Sequence, residues 1–146
     1  MNKEEIINLL NELQKESNHS VAFSIDSSFK GMSKILYTLY SSNEKYSLSD
    51  FSNILNVSCA RVTNLVKKLE KGNLVYREKN KQDNRTTYIF LTKEGEEFTK
   101  KKINSVVNII SKLIDEVGED KFKEYLETTK EMKEKLQIIA KEEKLC

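Results

Sequence analysis

The sequence predicts a mainly α-helical protein of the α+β class, with one β-hairpin among its helices. Apolar residues recur at helical spacing along most of the chain. Proline is absent, so helices can run without interruption. Two short segments rich in β-favouring residues, 74–79 and 86–91, flank a polar loop. A chain of 146 residues, 38% hydrophobic and 33% charged, suits one domain over 1–146 with a heavily charged surface.

The first part of the chain is predicted to form two helices. Residues 3–16 place their apolar side chains on one helical stripe, whereas the segment 17–28 is polar and weakly patterned. Helical spacing resumes from Met32 to Tyr40. Residues 41–47 are predicted to form a loop, because polar residues dominate there.

Two further helices, joined by a tight turn, are predicted next. Ser47 is followed three residues later by Asp50, a capping-box pattern that starts a helix. Asn56 ends this helix, since asparagine adopts the left-handed conformation more readily than other non-glycine residues. Ser58 caps the second helix, which ends at Gly72. The core-facing stripe of that helix has the spacing i, i+3, i+4, i+7 and consists of Val62, Leu65, Val66 and Leu69.

A hairpin and two long helices complete the predicted order. The strands 74–79 and 86–91 flank the charged loop 80–85. Thr92 caps the first long helix, and Gly118 interrupts the helical spacing, which then continues towards the C-terminus. Helix, tight turn, helix and hairpin in this order form the plan of a winged helix-turn-helix, a module that binds DNA.

Basic residues are concentrated in this winged segment. Between Ser58 and Lys93 there are nine basic and three acidic residues, a net charge of +6, whereas the whole chain carries +2. A basic block on a nearly neutral protein is the electrostatic pattern of a phosphate-binding surface. The alternative is a solvated lysine-rich surface that binds no ligand.

The second helix of the pair carries the candidate base contacts. Asn64 can make a bidentate pair with adenine, Arg61 can pair with guanine, and Thr63 can contact a thymine methyl or a phosphate. Lysines on the same face would bind phosphates and position the helix. In the hairpin loop, Arg85 can enter an adjacent minor groove, and Asp83 would hold the Arg85 side chain. The predicted DNA-binding residues are Ser58, Ala60, Arg61, Thr63, Asn64, Lys67, Lys68, Lys81, Asn84 and Arg85.

Taken together, these motifs resemble the MarR family of bacterial transcriptional regulators. The resemblance rests on the stretches SLSDFSNILNVS, VTNLVKKLE and NLVYR, and on DNR followed by LTKEG. It implies a homodimer in which the N- and C-terminal helical regions, 1–30 and 96–146, intertwine as the dimerisation region. The segment 31–95 would then form the winged helix-turn-helix DNA-binding region.

The resemblance also implies roles for single residues. Thr63 and Asn64 occupy contact positions on the recognition helix, and Asn64 stands where an arginine is common in the family. Arg85 is the wing residue that enters the minor groove, with Asp83 and Arg77 as wing-supporting residues. A two-fold dimer implies a pseudo-palindromic site with half-sites about one helical turn apart.

Two kinds of regulation are known in the family. Many members release DNA when a small aromatic compound binds, and others sense oxidants through a cysteine. Here Cys59 would lie in the first turn of the recognition helix, where the helix dipole and Arg61 favour a thiolate. The aromatic residues that could line an effector pocket, or else pack in the core and the dimer contact, are Phe23, Phe29, Tyr37, Tyr40 and Tyr46.

The leading hypothesis is a cytoplasmic, dimeric repressor that binds double-stranded DNA. An enzyme is not expected, because the sequence has no nucleophile–base arrangement, metal cluster or phosphate-binding glycine loop, and no cofactor is expected either. Cys59 and Cys146 suggest neither a disulfide framework nor a metal site, and His19 is predicted to be a surface or dimer-contact residue. Residues 1–16 lack the apolar core of a targeting signal, and no run reaches the ~18 apolar residues of a membrane span. The other hypotheses are a redox-sensing regulator that uses Cys59 and a winged-helix protein-interaction module that does not bind DNA.

Overall fold

Helices account for most of the chain in the computed structural model, which describes residues 1–8 and 30–144. Residues 3–8 are helical and are named α1. The other helices are α2 (Lys30–Ser41), α3 (Leu48–Leu55), α4 (Cys59–Lys71), α5 (Lys93–Val117) and α6 (Glu119–Glu142), and the strands are β1 (Tyr46–Ser47), β2 (Val75–Lys79) and β3 (Thr87–Leu91). The predicted mainly α, α+β class is confirmed. None of the helices within these described ranges is long and apolar enough to cross a membrane.

Helix α3 begins with the capping box that its sequence predicts. The Ser47 hydroxyl accepts a hydrogen bond from the Asp50 backbone N–H at 3.1 Å, and the Asp50 carboxylate accepts one from the Ser47 N–H at 2.9 Å. These bonds satisfy two backbone donors that have no partner within the helix. The helix ends at Asn56, whose φ of 53° is left-handed, as predicted.

Replacing the capping serine tests this helix start. We expect Ser47→Ala to lower the free energy of unfolding by about 1 kcal/mol, since the Asp50 N–H loses its acceptor. Urea titration followed by circular dichroism measures the change. The matched control is Ser49→Ala, an exposed position within the first turn of the same helix. A loss that is equal in both variants would contradict the cap.

Helix α4 packs through its predicted apolar stripe. Ser58 caps it, with the hydroxyl accepting a hydrogen bond from the Arg61 N–H at 3.2 Å. The chain leaves the helix through Gly72 and through Asn73, whose φ is 58°. All four residues of the stripe are buried: Val62, Leu65, Val66 and Leu69. The opposite face of α4 is therefore the one left for solvent or a ligand.

The sheet has three strands, one more than the sequence predicts. The hairpin is confirmed, and its antiparallel strands pair from Val75 opposite Leu91 to Lys79 opposite Thr87. The segment 41–47 was expected to be a loop, but β1 at its end pairs with β3, giving the order β1-β3-β2. A strand of two residues has no alternation to detect, and it exists only because β3 supplies its hydrogen-bond partners.

A single core joins α2, α3 and α4 to the sheet. Its buried residues are Ile35, Leu36, Phe51, Val62, Leu65, Val66, Leu69, Val75 and Ile89. A tight turn joins α3 to α4, and the β2–β3 hairpin follows α4 in the sequence. This arrangement is a winged helix-turn-helix, as the sequence predicts.

Thr92 links the end of α4 to the start of α5. Its hydroxyl accepts a hydrogen bond from the Gly95 N–H at 2.9 Å and donates one to the Asn73 carbonyl at 2.7 Å. Its backbone N–H donates to the Leu74 carbonyl at 3.0 Å. The predicted helix cap is therefore confirmed, and the same residue also ties the base of the hairpin to α5.

The chain divides into two compact units, one formed by residues 9–105 and the other by 1–8 with 106–146. In the second unit, Gly118 has a φ of 96° and separates α5 from α6, as predicted. The buried residues of its described part are Ile6, Val107, Ile110, Ile114 and Phe122. Many large apolar side chains of the same two helices are exposed: Val106, Ile109, Leu113, Val117, Tyr125, Met132, Leu136, Ile138 and Ile139.

Candidate nucleic-acid interface

The exposed face of α4 carries positive charge and no negative charge. The helix has one acidic residue, Glu70, and that side chain is partly buried. The residues exposed on α4 are Cys59, Ala60, Arg61, Asn64, Lys67, Lys68 and Lys71. The capping residue Ser58 is exposed as well. A helix with this face can approach a polyanion without electrostatic repulsion from its own carboxylates.

Thr63 and Asn64 offer different chemistry. The Thr63 hydroxyl donates a hydrogen bond to the Cys59 carbonyl at 2.9 Å, so its proton is already used. A phosphate needs a donor, and this side chain therefore fits a thymine methyl better than a phosphate. Asn64 is exposed, and its amide has no hydrogen-bond partner among residues 1–8 and 30–144. The C=O and NH2 groups of the Asn64 side chain are therefore both free to contact a base edge.

The loop between β2 and β3, residues 80–86, is shaped by two successive side-chain-to-backbone turns. The Asn80 side-chain oxygen accepts a hydrogen bond from the Gln82 N–H at 3.0 Å, and Asp83 accepts one from the Arg85 N–H at 3.0 Å. The Asn80 N–H donates to the Thr86 carbonyl at 2.9 Å and closes the loop. Such turns order a polar loop without core contacts. The predicted contacts Lys81, Asn84 and Arg85 are all exposed.

Asp83 supports the loop differently from what the sequence suggested. It was expected to hold the Arg85 side chain, but its carboxylate accepts a hydrogen bond from the Arg85 backbone N–H. Its second oxygen lies 3.4 Å from the Thr86 hydroxyl. A carboxylate on a single methylene reaches the N–H two residues ahead, which favours this turn over a side-chain ion pair. Within the described part of the chain, the Arg85 guanidinium has no ion-pair partner and projects from an ordered turn.

Arg77, the other wing-supporting residue, contacts α4. Its Nε lies 2.5 Å from the Glu70 Oε1 atom, and both side chains are partly exposed. The pair connects the middle of β2 with the last turn of the helix. Sequence reasoning did not single out Glu70. The available signal was its position as the only acid on an otherwise basic helix.

A second contact that sequence reasoning missed lies on the outer face of the hairpin. Tyr76 stacks on Phe90 with ring centroids 5.4 Å apart, as expected for cross-strand neighbours. The Lys45 Nζ lies 5.8 Å from the centre of the Tyr88 ring. This lysine precedes β1, and only the pairing of β1 with β3 brings it to the hairpin.

The aromatic residues of the predicted effector pocket do not come together in the described ranges. Tyr46 packs on Phe51 with ring centroids 5.5 Å apart, and so contributes to the core. Tyr37 is partly buried, and this burial raises the pKa of its hydroxyl. Tyr40 is exposed. A shallow groove beside Tyr46 is lined by Glu44, Lys45, Asp50, Asn53 and Ile54, and includes neither Tyr37 nor Tyr40.

Several predicted residues lie outside the described ranges. They are Phe23 and Phe29 of the effector pocket, His19 and Cys146. Cys59 is a free, exposed thiol at the first residue of α4. In the described ranges, no group of three or more histidine, cysteine or carboxylate side chains could hold a metal ion.

Comparison with known proteins supports the winged architecture. The MarR family model matches residues 33–87, which run from α2 into β3. No curated protein sequence matches the chain. Among solved structures, the chain is similar to the transcriptional regulator Tm0710 from Thermotoga maritima, with 26% identity, 92% of this chain and 93% of that chain covered, and a TM-score of 0.52.

Two further solved structures share the fold at lower identity. One is the heme sensor protein PefR from Streptococcus agalactiae in complex with heme. The identity is 21%, the match covers 95% of this chain and 91% of that chain, and the TM-score is 0.62. The other is the S. aureus MepR–DNA complex, with 19% identity, coverage of 93% and 99%, and a TM-score of 0.61. The winged segment of the chain therefore matches the MarR family model over residues 33–87, and the chain shares the fold of these solved structures over more than 90% of its length.

Proposed function

We propose that this protein is a homodimeric, sequence-specific DNA-binding repressor of a pseudo-palindromic operator. The observation that carries the proposal is the exposed face of α4, which is basic, free of acids and held outward by a buried apolar stripe. The segment 31–95 acts as the DNA-binding region. The segments 1–30 and 96–146 act as the dimerisation region.

In this proposal α4 enters the major groove. Asn64 and Arg61 contact base edges, and Thr63 presents its methyl group to thymine. The phosphate contacts come from Ser58, Lys67 and Lys68, and Ala60 lets the helix approach closely. The arrangement separates residues that position the protein from those that recognise sequence.

The hairpin loop supplies the second contact. Arg85 enters the minor groove, where a narrow A/T-rich sequence has the most negative potential. Lys81 and Asn84 flank it and contact the backbone. The two turns within residues 80–86 support this role, because an ordered loop loses little conformational entropy on binding.

Dimerisation is supported by the second compact unit. Isolated exposed apolar residues are ordinary, but contiguous apolar surface marks an interaction site. On α5 the exposed residues Val106, Ile109, Leu113 and Val117 recur at intervals of three or four, so they form one stripe. We assign this stripe to the contact with a second copy of the chain. A dimer carries two α4 helices, one for each half-site of a pseudo-palindromic operator.

Selection from random-sequence duplexes tests the proposed function directly. The wild-type protein is expected to enrich a two-fold symmetric sequence. Binding should weaken steeply with salt, because lysine and arginine contacts release counterions from the duplex. A failure to enrich any sequence, together with salt-insensitive capture of other proteins, would instead favour an interaction module that does not bind DNA.

Arg85→Ala is expected to weaken binding most at sites with a narrow A/T-rich minor groove. The reason is that the negative potential that attracts arginine depends on groove width. The salt dependence should also become shallower by about one unit in slope. Fluorescence anisotropy on the selected duplex and on a variant with G/C-rich flanks measures both effects. Lys144→Ala, at an exposed position outside the winged segment, is the control. Equal affinities of Arg85→Ala and wild type for both duplexes would contradict the wing assignment.

We extend the proposal to release by a small aromatic effector. The solved protein PefR of this fold is a heme sensor, so heme belongs in the ligand panel together with phenols and aromatic carboxylates. Loss of the anisotropy signal on addition of one of these compounds would identify the effector class. A parallel assay with peroxide tests the redox alternative. That alternative requires peroxide to release the wild-type protein from DNA and to leave the Cys59→Ser variant bound.

A further inference from the structure

Glu70 occupies an unusual place on α4. It is the only acidic residue of the helix, and one of its carboxylate oxygens, Oε1, is shielded from solvent. This same atom lies 2.5 Å from the Arg77 Nε atom. Although Glu70 lies off the exposed face, a carboxylate on this helix still adds some repulsion toward phosphates, and its contact with Arg77 offsets that charge.

Arg77 connects this contact to the wing. It lies in the middle of β2, opposite the fully buried Ile89, so it is on the core side of the hairpin. The base of the hairpin is held by buried Val75 and by the bonds of Thr92. Toward the loop, Glu78 and Lys79 are exposed. Among residues 1–8 and 30–144, the Glu70–Arg77 contact is the only ion pair between α4 and the hairpin.

We propose that Glu70 is a positioning residue, which through Arg77 sets the angle of the wing, the β2–β3 hairpin, relative to the recognition helix α4. This inference rests on the proposed function, and it concerns how two contacts are made together. When α4 lies in the major groove, a hairpin held at a fixed angle already places Arg85 at the adjacent minor groove. If the hairpin can move, part of the binding free energy of that contact is offset by the conformational entropy lost when the hairpin becomes ordered.

The sign of the effect separates this role from simple electrostatics. Removing a carboxylate from a DNA-facing helix should strengthen binding if charge alone mattered, because the duplex is a polyanion. The positioning role predicts the opposite. Glu70→Gln keeps the size and polarity of the side chain but removes the ion pair, and a partly exposed pair of this kind contributes little to folding stability.

The test is a double-mutant cycle on the duplex selected by the wild-type protein. We expect Glu70→Gln to weaken binding roughly two- to fivefold, the range that a partly exposed ion pair can supply. In the Arg85→Ala background the same change should have almost no further effect, since Glu70 acts through the wing. The reversed pair E70R/R77E, which restores the contact with the charges exchanged, should recover most of the lost affinity.

Glu78→Gln is the matched control, because it removes a carboxylate from the same hairpin on the face opposite Arg77. It should bind DNA as tightly as wild type or more tightly. The proposal is overturned if Glu70→Gln behaves like Glu78→Gln, if its effect adds fully to that of Arg85→Ala, or if the reversed pair binds no better than Glu70→Gln.

Hydrogen–deuterium exchange keeps this inference separate from the proposed function. Without DNA, Glu70→Gln should speed exchange of the hairpin amides in 75–91 and leave those of α3 unchanged. Unchanged exchange in the hairpin would overturn the positioning role. If the wild-type protein selects no duplex but the hairpin exchange still rises, the proposed DNA binding fails while the link between Glu70 and the wing stands.

Discussion

Gly95→Ala is expected to lower the free energy of unfolding by about 3 kcal/mol or more. A Cβ atom at this position would lie 1.9 Å from the Leu74 carbonyl oxygen and 2.8 Å from its carbonyl carbon. Both atoms are backbone, so no side-chain rotation can relieve the overlap. The Leu74 carbonyl also accepts a hydrogen bond from the Thr92 N–H. Moving this carbonyl would break the link between the hairpin and α5.

Two other glycines provide graded controls. At Gly72 an added Cβ would meet only ordinary contacts of 3.6 Å or longer, so Gly72→Ala should be neutral or slightly stabilising. At Gly31 the Cβ would lie 2.7 Å from a terminal methyl of Leu65, which can rotate away, so the cost should be intermediate. Thermal unfolding at one protein concentration orders the three variants. A Gly95→Ala protein that unfolds at the same temperature as Gly72→Ala would contradict the close approach to Leu74.

Asn64→Ala is expected to remove discrimination at one base position, by about 1–3 kcal/mol. The exposed amide can donate to and accept from the same adenine, and alanine can do neither. The measurement compares affinities for the selected duplex and for the three single-base variants at each position. Wild type should prefer one base at the Asn64 position, and the variant should bind all four with nearly equal affinity.

Lys67→Ala is the matched control for Asn64→Ala. Both residues are exposed on the same face of α4, but lysine contacts phosphate and carries no sequence information. Its removal should weaken binding to all duplexes equally and reduce the salt slope by about one. If Asn64→Ala also weakened every duplex to the same degree, Asn64 would not be a base contact.

The helix boundaries around the DNA-binding segment could be predicted because their causes are local. The Ser47–Asp50 capping box, the left-handed Asn56 and the Ser58 cap each depend on residues within three or four positions. The same holds for the buried stripe of α4, which follows from helical periodicity alone. These features also place the basic face outward, so the candidate contact residues follow from the sequence.

The supporting contacts could not be predicted in the same way. Asp83 and Arg85 were recognised as partners, but residue types do not distinguish a bond to the guanidinium from one to the backbone N–H. The sequence allowed Tyr46 to line a pocket or to pack in the core, and its packing on Phe51 shows that it contributes to the core. In each case the composition allowed two geometries, and the backbone path selected one.

Local pattern was therefore sufficient for the helices, the hairpin and the charge of the exposed face, since capping, periodicity and turn chemistry act between near neighbours. Tertiary structure alone decided the pairing of β1 with β3, the approach of Gly95 to Leu74 and the contact of Glu70 with Arg77. These contacts join separate elements, and their geometry depends on how the elements pack around the core. No spacing along the chain encodes that packing.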